Sequence, residues 1–380
     1  MIKSFQIKNF RLFQHLKVNK LSHVNLIVGK NNAGKSTFLE AIQLYASNAS
    51  ASILLDLVDS RQESWQSQAQ PYFYDFVENP VRHLFFNHQL PETNEEGICL
   101  GEINSEVQLH IRTAVYQIQN TEEGTIKKVR LDEPDIQDDL SNIEISLVAE
   151  EKGKTKRLFD LFRNSRDIQR NSRLYDKRKT EFKYNWQIVP TENMPNRKIA
   201  ALWDLTSLTH LESEVISALK LIDSRISGVA FVEDINKIRS NSLRSREQDT
   251  RIPLVKIEGI DEPLPLKSMG DGITRLFHII VALVNAQNGI ILIDEFENGL
   301  HWSVQPKVWD IVFQLSQKLN VQIFATTHSR DCIAGFDWAW NQYPEMGAFF
   351  RLDEKQGTIK ATEYTSETLT DSLDMAVEIR

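Results

Sequence analysis

A lysine set between a glycine and two hydroxyl residues can hold phosphate if the backbone before it can bend. Residues 29–37 read Gly29-Lys30-Asn31-Asn32-Ala33-Gly34-Lys35-Ser36-Thr37, a G-x-x-x-x-G-K-[ST] pattern. Gly29 and Gly34 allow backbone angles that a Cβ forbids. The loop N–H groups can then wrap phosphate oxygens at the positive end of the helix that follows. Lys35 is expected to reach the β- and γ-phosphates and Ser36 to ligate Mg²⁺. Asn31, Asn32, Ala33 and Thr37 complete the expected nucleotide-binding loop. Far downstream, Ile290-Ile291-Leu292-Ile293 runs into Asp294-Glu295. Asp294 is expected to hold Mg²⁺, and Glu295 to polarise the attacking water as a general base. His328 ends another apolar run, where an imidazole can reach the γ-phosphate. Lys35, Glu295 and His328 are therefore the expected catalytic groups. The expected chemistry is Mg²⁺-dependent hydrolysis of a nucleoside triphosphate, with ATP the default because no guanine-recognition motif is evident.

These groups need elements to position them. Residues 24–28 are apolar and β-branched, the pattern of a buried parallel strand. Residues 36–45 carry Leu39, Ile42 and Leu44 and read as a helix packed on that strand. Residues 289–293 and 321–327 read as two further buried strands. Their carboxyl ends are where ligands bind in α/β sheets. Upstream, Ser268-Met269-Gly270-Asp271-Gly272 opens an apolar helix over 273–284, with Ser268 as its expected N-cap.

The order of glycine-rich loop, serine–glycine helix start, Asp-Glu strand and His strand resembles the heads of ABC-type ATPases. Ile7-Lys8-Asn9-Phe10-Arg11-Leu12-Phe13 is similar to the opening of the RecF, SMC and OLD (overcoming lysogenization defect) groups. Glu297-Asn298-Gly299-Leu300-His301 and Ala325-Thr326-Thr327-His328-Ser329 resemble the OLD-like AAA family ATPases most closely. That resemblance implies two heads sandwiching two ATP molecules head to tail. Ser268 and Gly270 would then contact the γ-phosphate held by the opposite protomer. Gly299, Leu300 and His301 would run across the dimer interface, and His328 would be the switch histidine. Met269 replaces a glycine usual in the ABC signature, and Asp271 stands where Gln or Glu is common, which argues against a transporter subunit. Gln89 is one candidate for the glutamine that couples Mg²⁺ to the lobes. OLD proteins carry a Toprim nuclease after the ATPase. The 52 residues beyond His328 are too few for one, so any nuclease is expected to be a separate protein.

The expected fold is therefore an α/β P-loop NTPase of ABC-ATPase type. It has a mixed central sheet with helices on both faces, an antiparallel β extension and an α-helical insertion. The head is expected to be split between 1–46 and 255–380. Residues 47–150 form its extension, with a helix over 72–88 and antiparallel strands in 98–118, 126–131 and 143–148. Residues 151–254 are expected to be a basic helical insertion, whose clearest helix spans 199–226 on a stripe from Leu208 to Ile226 and is stopped by Gly228. Residues 236–251 read as a loop, and 348–352 with 358–364 as a strand pair.

Composition bounds the function. The 380 residues are 41% hydrophobic and 25% charged, ordinary for a globular protein with ample core. No apolar run approaches the ~20 residues that span a bilayer, and residues 1–6 carry no signal-peptide pattern. Two cysteines, Cys99 and Cys332, suit a reducing cytoplasm and read as structural thiols. The net charge of −8 is not that of an obligate nucleic-acid binder. Yet residues 152–183 hold twelve Lys or Arg against four Asp or Glu. That stretch could contact DNA, or pair with acidic surface elsewhere. The resemblance implies a cytoplasmic ATPase forming a homodimer or higher homo-oligomer and controlling a separate effector, such as a nuclease, in bacterial anti-phage defence. The alternatives are a RecF-like DNA-binding ATPase of repair and a constitutive ATP-bound scaffold.

Overall fold

The computed structural model describes residues 1–64, 79–93, 95–120, 126–131, 142–161, 182–233, 251–375 and 377–379. Its strands are β1 (Phe5–Phe10), β2 (Phe13–Val18), β3 (Val24–Gly29), β4 (Ile98–Gly101), β5 (Leu109–Asn120), β6 (Ile126–Leu131), β7 (Ile143–Glu151), β8 (Lys154–Asp160), β9 (Trp186–Val189), β10 (Ile226–Glu233), β11 (Arg251–Ile257), β12 (Leu264–Pro265), β13 (Ile290–Ile293), β14 (Gln322–Thr326), β15 (Gly347–Lys355) and β16 (Thr358–Tyr364). Its helices are α1 (Lys35–Ala46), α2 (Ala51–Ser60), α3 (Asn196–Thr206), α4 (His210–Lys220), α5 (Asp271–Asn285), α6 (Gln305–Leu319), α7 (Arg330–Gln342) and α8 (Ser366–Asp374).

The central sheet has the order β16-β15-β3-β14-β13-β9. All its neighbours are parallel except β16, which pairs antiparallel with β15. Period-two alternation splits each strand between two cores. Ile291, Ile293, Ile323 and Ala325 join α5, α6 and α7 on one face. Ile290, Leu292, Phe324 and Phe350 face α1 on the other. Beyond α1 lies a second, antiparallel sheet of order β2-β1-β4-β5-β7-β8, with β6 paired to β5. The mixed α/β architecture of an ABC-type P-loop ATPase head is thus present. Helix α1, which starts at the phosphate-binding lysine, is clamped between two sheets.

Several expectations need correction. The single helix over 199–226 is two helices, α3 and α4, followed by strand β10. Thr209 ends the first run because its hydroxyl accepts from the Leu211 N–H, while the Leu208 N–H donates to the Glu212 carboxylate. That is a Thr-x-x-Glu capping pattern lying inside the apolar stripe. Leu208 itself is fully exposed at φ +65, and Gly228 sits within β10 instead of stopping a helix. The stretch 151–254 also contributes β9, an edge strand of the central sheet, so it is not a purely helical insertion. Within 72–88 the described part holds two 3₁₀ turns, Pro80–Leu84 and Phe86–His88, and no α-helix. The expected strand over 98–118 is two, β4 and β5. Ser268 does not cap α5: it lies in the 3₁₀ turn Leu266–Met269, and Gly270, at φ +95, is the N-cap. Most of the basic stretch (162–181) and the loop at 236–251 up to residue 250 lie outside the described residues, as do residues 132–139, acidic residues that could pair with that stretch. Among the described residues, no helix is long and apolar enough to cross a membrane.

Candidate nucleotide site

Strand β3 delivers the chain to residues 29–34 at the carboxyl edge of the central sheet, and α1 carries it away. Gly34 has φ +93, and a Cβ there would meet the Phe13 ring at 2.7 Å. Glycine is thus required twice over, by conformation and by space. The Lys35 ammonium is folded back onto the carbonyls of Gly29 and Lys30, at 2.7 and 3.0 Å. Burial lowers its pKa, opposed by the carboxylates of Asp294, Glu295 and Glu297. A buried cation held on two backbone carbonyls at the mouth of a loop is poised to exchange them for phosphate oxygens.

Asp294 and Glu295 arrive from β13, two strands away from β3. The Ser36 hydroxyl lies 3.2 and 3.0 Å from the two Asp294 carboxylate oxygens. Thr326, at the end of β14, donates to the same carboxylate at 2.6 Å, and Thr191 donates at 3.2 Å. A hydroxyl and a carboxylate converging this closely form a hard-oxygen donor set, which fits Mg²⁺ and not a thiophilic ion. Glu295 stands at φ +49, a conformation that costs a non-glycine residue on the order of 1 kcal/mol. Its backbone is held at both ends: its N–H donates to the Thr326 hydroxyl at 2.9 Å, and its carbonyl accepts from Arg275 at 3.0 Å. The result turns the Glu295 carboxylate toward His328, with 3.9 Å between Oε1 and Nε2. The His328 N–H in turn donates to Glu297 at 2.8 Å.

One cleft of about 480 Å³ collects Asn31, Asn32, Gly34, Lys35, Ser36, Thr37, Glu295 and His328, with Leu12 and Arg61 at its edge. The structure therefore brings together residues from three separate strand ends. Ala33 and Gly29 stay in the loop wall, and Ala33 lines an adjoining cleft against β15. Ser268 and Gly270 do not line the nucleotide cleft. They sit at the start of α5 beside the turn 296–300, where a Cβ on Gly272 would lie 3.0 Å from the Gly299 carbonyl. Phe296 anchors that turn by stacking on Trp309 at 3.7 Å, leaving Gly299 exposed and Leu300 tucked in. His301 is exposed and bonds only locally, to Ser303. Gln89 lines a different cleft, against Asn9 and Phe85, and does not reach the nucleotide site.

A family model described as an AAA ATPase domain matches residues 1–333. The chain belongs to that family. Membership makes it a nucleotide-binding ATPase. An ATP/GTP phosphatase of Helicobacter pylori is 26% identical over 355 residues, covering 89% of this chain and 88% of that protein. The DNA replication and repair protein RecF of Lactobacillus johnsonii is 44% identical over 45 residues, 12% of each chain. Among solved structures, the SMC head domain from Thermotoga maritima is similar with a TM-score of 0.42 and 11% identity, covering 96% of this chain and 99% of that one.

This AAA ATPase domain also uses residues that motif reading missed. Arg275 is almost fully buried in α5 and donates to the carbonyls of Pro190, Asp294 and Glu295, at 2.6, 2.7 and 3.0 Å. Burial brings its pKa down to about 10, opposed by the carboxylates around it. Its signal in the sequence is a lone cation inside the apolar run Ile273–Val284. Thr191 follows β9, a strand that sequence reasoning did not place in the central sheet. Arg61 bonds to the Thr37 hydroxyl at 3.1 Å and to Glu40 at 2.9 Å, which ties α2 to the phosphate loop.

Proposed function

We propose that this ATPase works as a dimer of heads closed by ATP and reopened by hydrolysis, and that a separate effector protein reads that cycle. The observation that carries the proposal is the convergence of Lys35, Ser36, Glu295 and His328 on one cleft, with the Asp294 carboxylate bonded to Ser36 beside it. Ser36 and Asp294 would hold Mg²⁺, which when bound supplies charge stabilisation at the phosphate oxygens. Lys35 leaves its two backbone carbonyls for the β- and γ-phosphates. Glu295 accepts the proton of the attacking water, and His328 orients against the γ-phosphate. Asn31, Asn32, Ala33, Gly34 and Thr37 line the phosphates. Ser268 and Gly270 complete the site of the opposite head. Their exposure at the start of α5, beside the turn carrying Gly299, Leu300 and His301, supports that reading. Such donors act by positioning and electrostatics, and a contact supplied by a partner can contribute ~10³–10⁵ in rate.

The effector is proposed to be the toxic arm of a bacterial anti-phage system, such as a nuclease on another chain. The OLD-like motifs at 297–301 and 325–329 support this. The 45-residue likeness to RecF favours a second reading, in which the dimer clamps DNA during repair. Within 152–183, the charges of Arg157 and Lys183 are already paired with Glu144 and Glu151, each at 2.5 Å, which weakens DNA contact there. DNA-stimulated ATP turnover would favour the second reading.

The deciding experiment is the native mass of Glu295→Gln with and without ATP and Mg²⁺. Removing the base should slow turnover by about 10²–10⁴ and trap an ATP-dependent dimer. A variant that stays monomeric in saturating ATP overturns the sandwich. An oligomer indifferent to ATP makes the protein a constitutive platform.

A further inference from the structure

The outer face of the second sheet carries a row of polar residues in direct cross-strand register. His15 on β2 faces Lys8 on β1, Lys8 faces Cys99 on β4, Cys99 faces His110 on β5, and His110 faces Glu150 on β7. Directly opposed residues share a face. The neighbouring positions Ile7, Leu100 and Leu109 point the other way, into the core against α1. Cys99 is therefore buried, yet it belongs to neither hydrophobic core. Its polar neighbours are an imidazole, a carboxylate and an amide, those of His110, Glu96 and Gln108. Ligand atoms of Glu96, Cys99 and His110 all lie within 4.8 Å of one another.

We propose that Glu96, Cys99 and His110 form a binding site for a borderline divalent transition ion, with Zn²⁺ the best match. Nothing about this site depends on the nucleotide cleft, and none of its residues lines that cleft. One thiolate, one imidazole and one carboxylate select zinc over the hard ions that suit Ser36 and Asp294. Ligand atoms around tetrahedral zinc lie roughly 3.5 Å apart, so closing the site takes side-chain adjustments of about an ångström. The loop bearing Glu96 is already fixed for this. Asn9 donates its amide to the carbonyls of Glu96 and Gly97, at 3.0 and 3.2 Å. Gly97 lets that loop press on β5, since a Cβ there would meet the Ile111 carbonyl at 2.0 Å. The Cys99 thiol donates to Gln108 Oε1 at 2.6 Å, and Lys8 pairs with Glu96 at 3.1 Å. Zinc would displace both contacts: the thiol releases one proton to solvent, the Lys8 ammonium keeps its protons and turns outward, and Gln108 Oε1 or water fills the fourth position. Thiolate and carboxylate together balance the ion's double charge.

The test uses full-length protein stripped of metal, titrated with Zn²⁺ against a chromogenic chelator and separately with Co²⁺. The expected result is one tight equivalent, release of a proton, and a thiolate-to-cobalt charge-transfer band. Cys99→Ser should abolish the band and weaken zinc by at least about tenfold, the effect known for lesser perturbations of such sites. His110→Gln, on the outer face, provides a second variant that spares the core and should weaken zinc similarly. A wild-type protein with no charge-transfer band, or zinc affinity unchanged in His110→Gln, overturns the site. ATP turnover plays no part in either readout, so failure here leaves the ATPase reading intact.

Discussion

Glu295 shows how a single residue is held where it would not rest alone. Its left-handed backbone is fixed by Thr326 at the N–H and by Arg275 at the carbonyl. Arg275 is the stronger constraint, because one buried guanidinium satisfies three carbonyls from two segments. Arg275→Met removes those donors without adding charge. It should lower the unfolding free energy by about 3 kcal/mol, through carbonyls left without partners. It should also cut ATP turnover by about a hundredfold, because Glu295 would drift by roughly an ångström. Nucleotide affinity should hold, since Lys35 and Ser36 come from another strand. Equilibrium dialysis beside a phosphate-release assay separates the two, and equal loss of both would refute this account. The loop formed by one short stretch, such as Gly34-Lys35-Ser36 leading into α1, was legible in the sequence. Arg275 was not, because its partners are backbone carbonyls, which leave no trace in side-chain spacing.

Helix α5 links the turn at Leu266–Met269 to the strand ends, and its interior contains a titratable group. His278 accepts the Met194 N–H at Nδ1, at 3.0 Å, and burial lowers its pKa from 6.5 to about 4. Between those values the unfolded chain binds a proton that the folded chain rejects. Stability from this group is complete above about pH 6.5 and declines as pH falls toward 4, by up to about 3 kcal/mol. Urea midpoints measured at pH 7 and pH 4.5 should fall steeply for the natural protein. His278→Asn, which keeps an acceptor but cannot titrate, should show a shallower fall. Elements with one dominant signal were legible: β3, β13 and β14 are short, mostly apolar runs, and the hairpin β15–β16 turns at Gln356-Gly357. The helices α3 and α4 were not, because a Thr209 cap competes with an apolar stripe that continues across it. Strand β9 hides for another reason: only one of its four residues is fully buried, so it lacks the pattern of a central strand.

At the scale of the molecule, α1 is the member common to both sheets. Its Phe38 packs on Phe5 of the outer sheet at 6.1 Å and on Phe350 of the central sheet at 5.3 Å. Phe38→Ala should cost about 3–5 kcal/mol. Because the ring touches both sheets, far-ultraviolet dichroism and tryptophan fluorescence should shift together in urea. Two separated transitions would mean that the sheets fold as independent units. The strands that carry the motifs were legible in the sequence, but the pairing of sheets around α1 was not, because it depends on contacts between distant segments. Those distances have a consequence during synthesis. The Asn25 side chain in β3 bonds to the Ile323 carbonyl, 298 positions later, and β3 has β14 and β15 as its two neighbours. At ~5–20 residues per second, that strand leaves the ribosome about 15–60 s before either neighbour exists. All six of its residues are buried in the finished sheet, so through most of translation an aliphatic strand with two open edges is exposed to other nascent chains. Holding by a chaperone over that interval, more than any intrinsic folding rate, would set the yield of active protein.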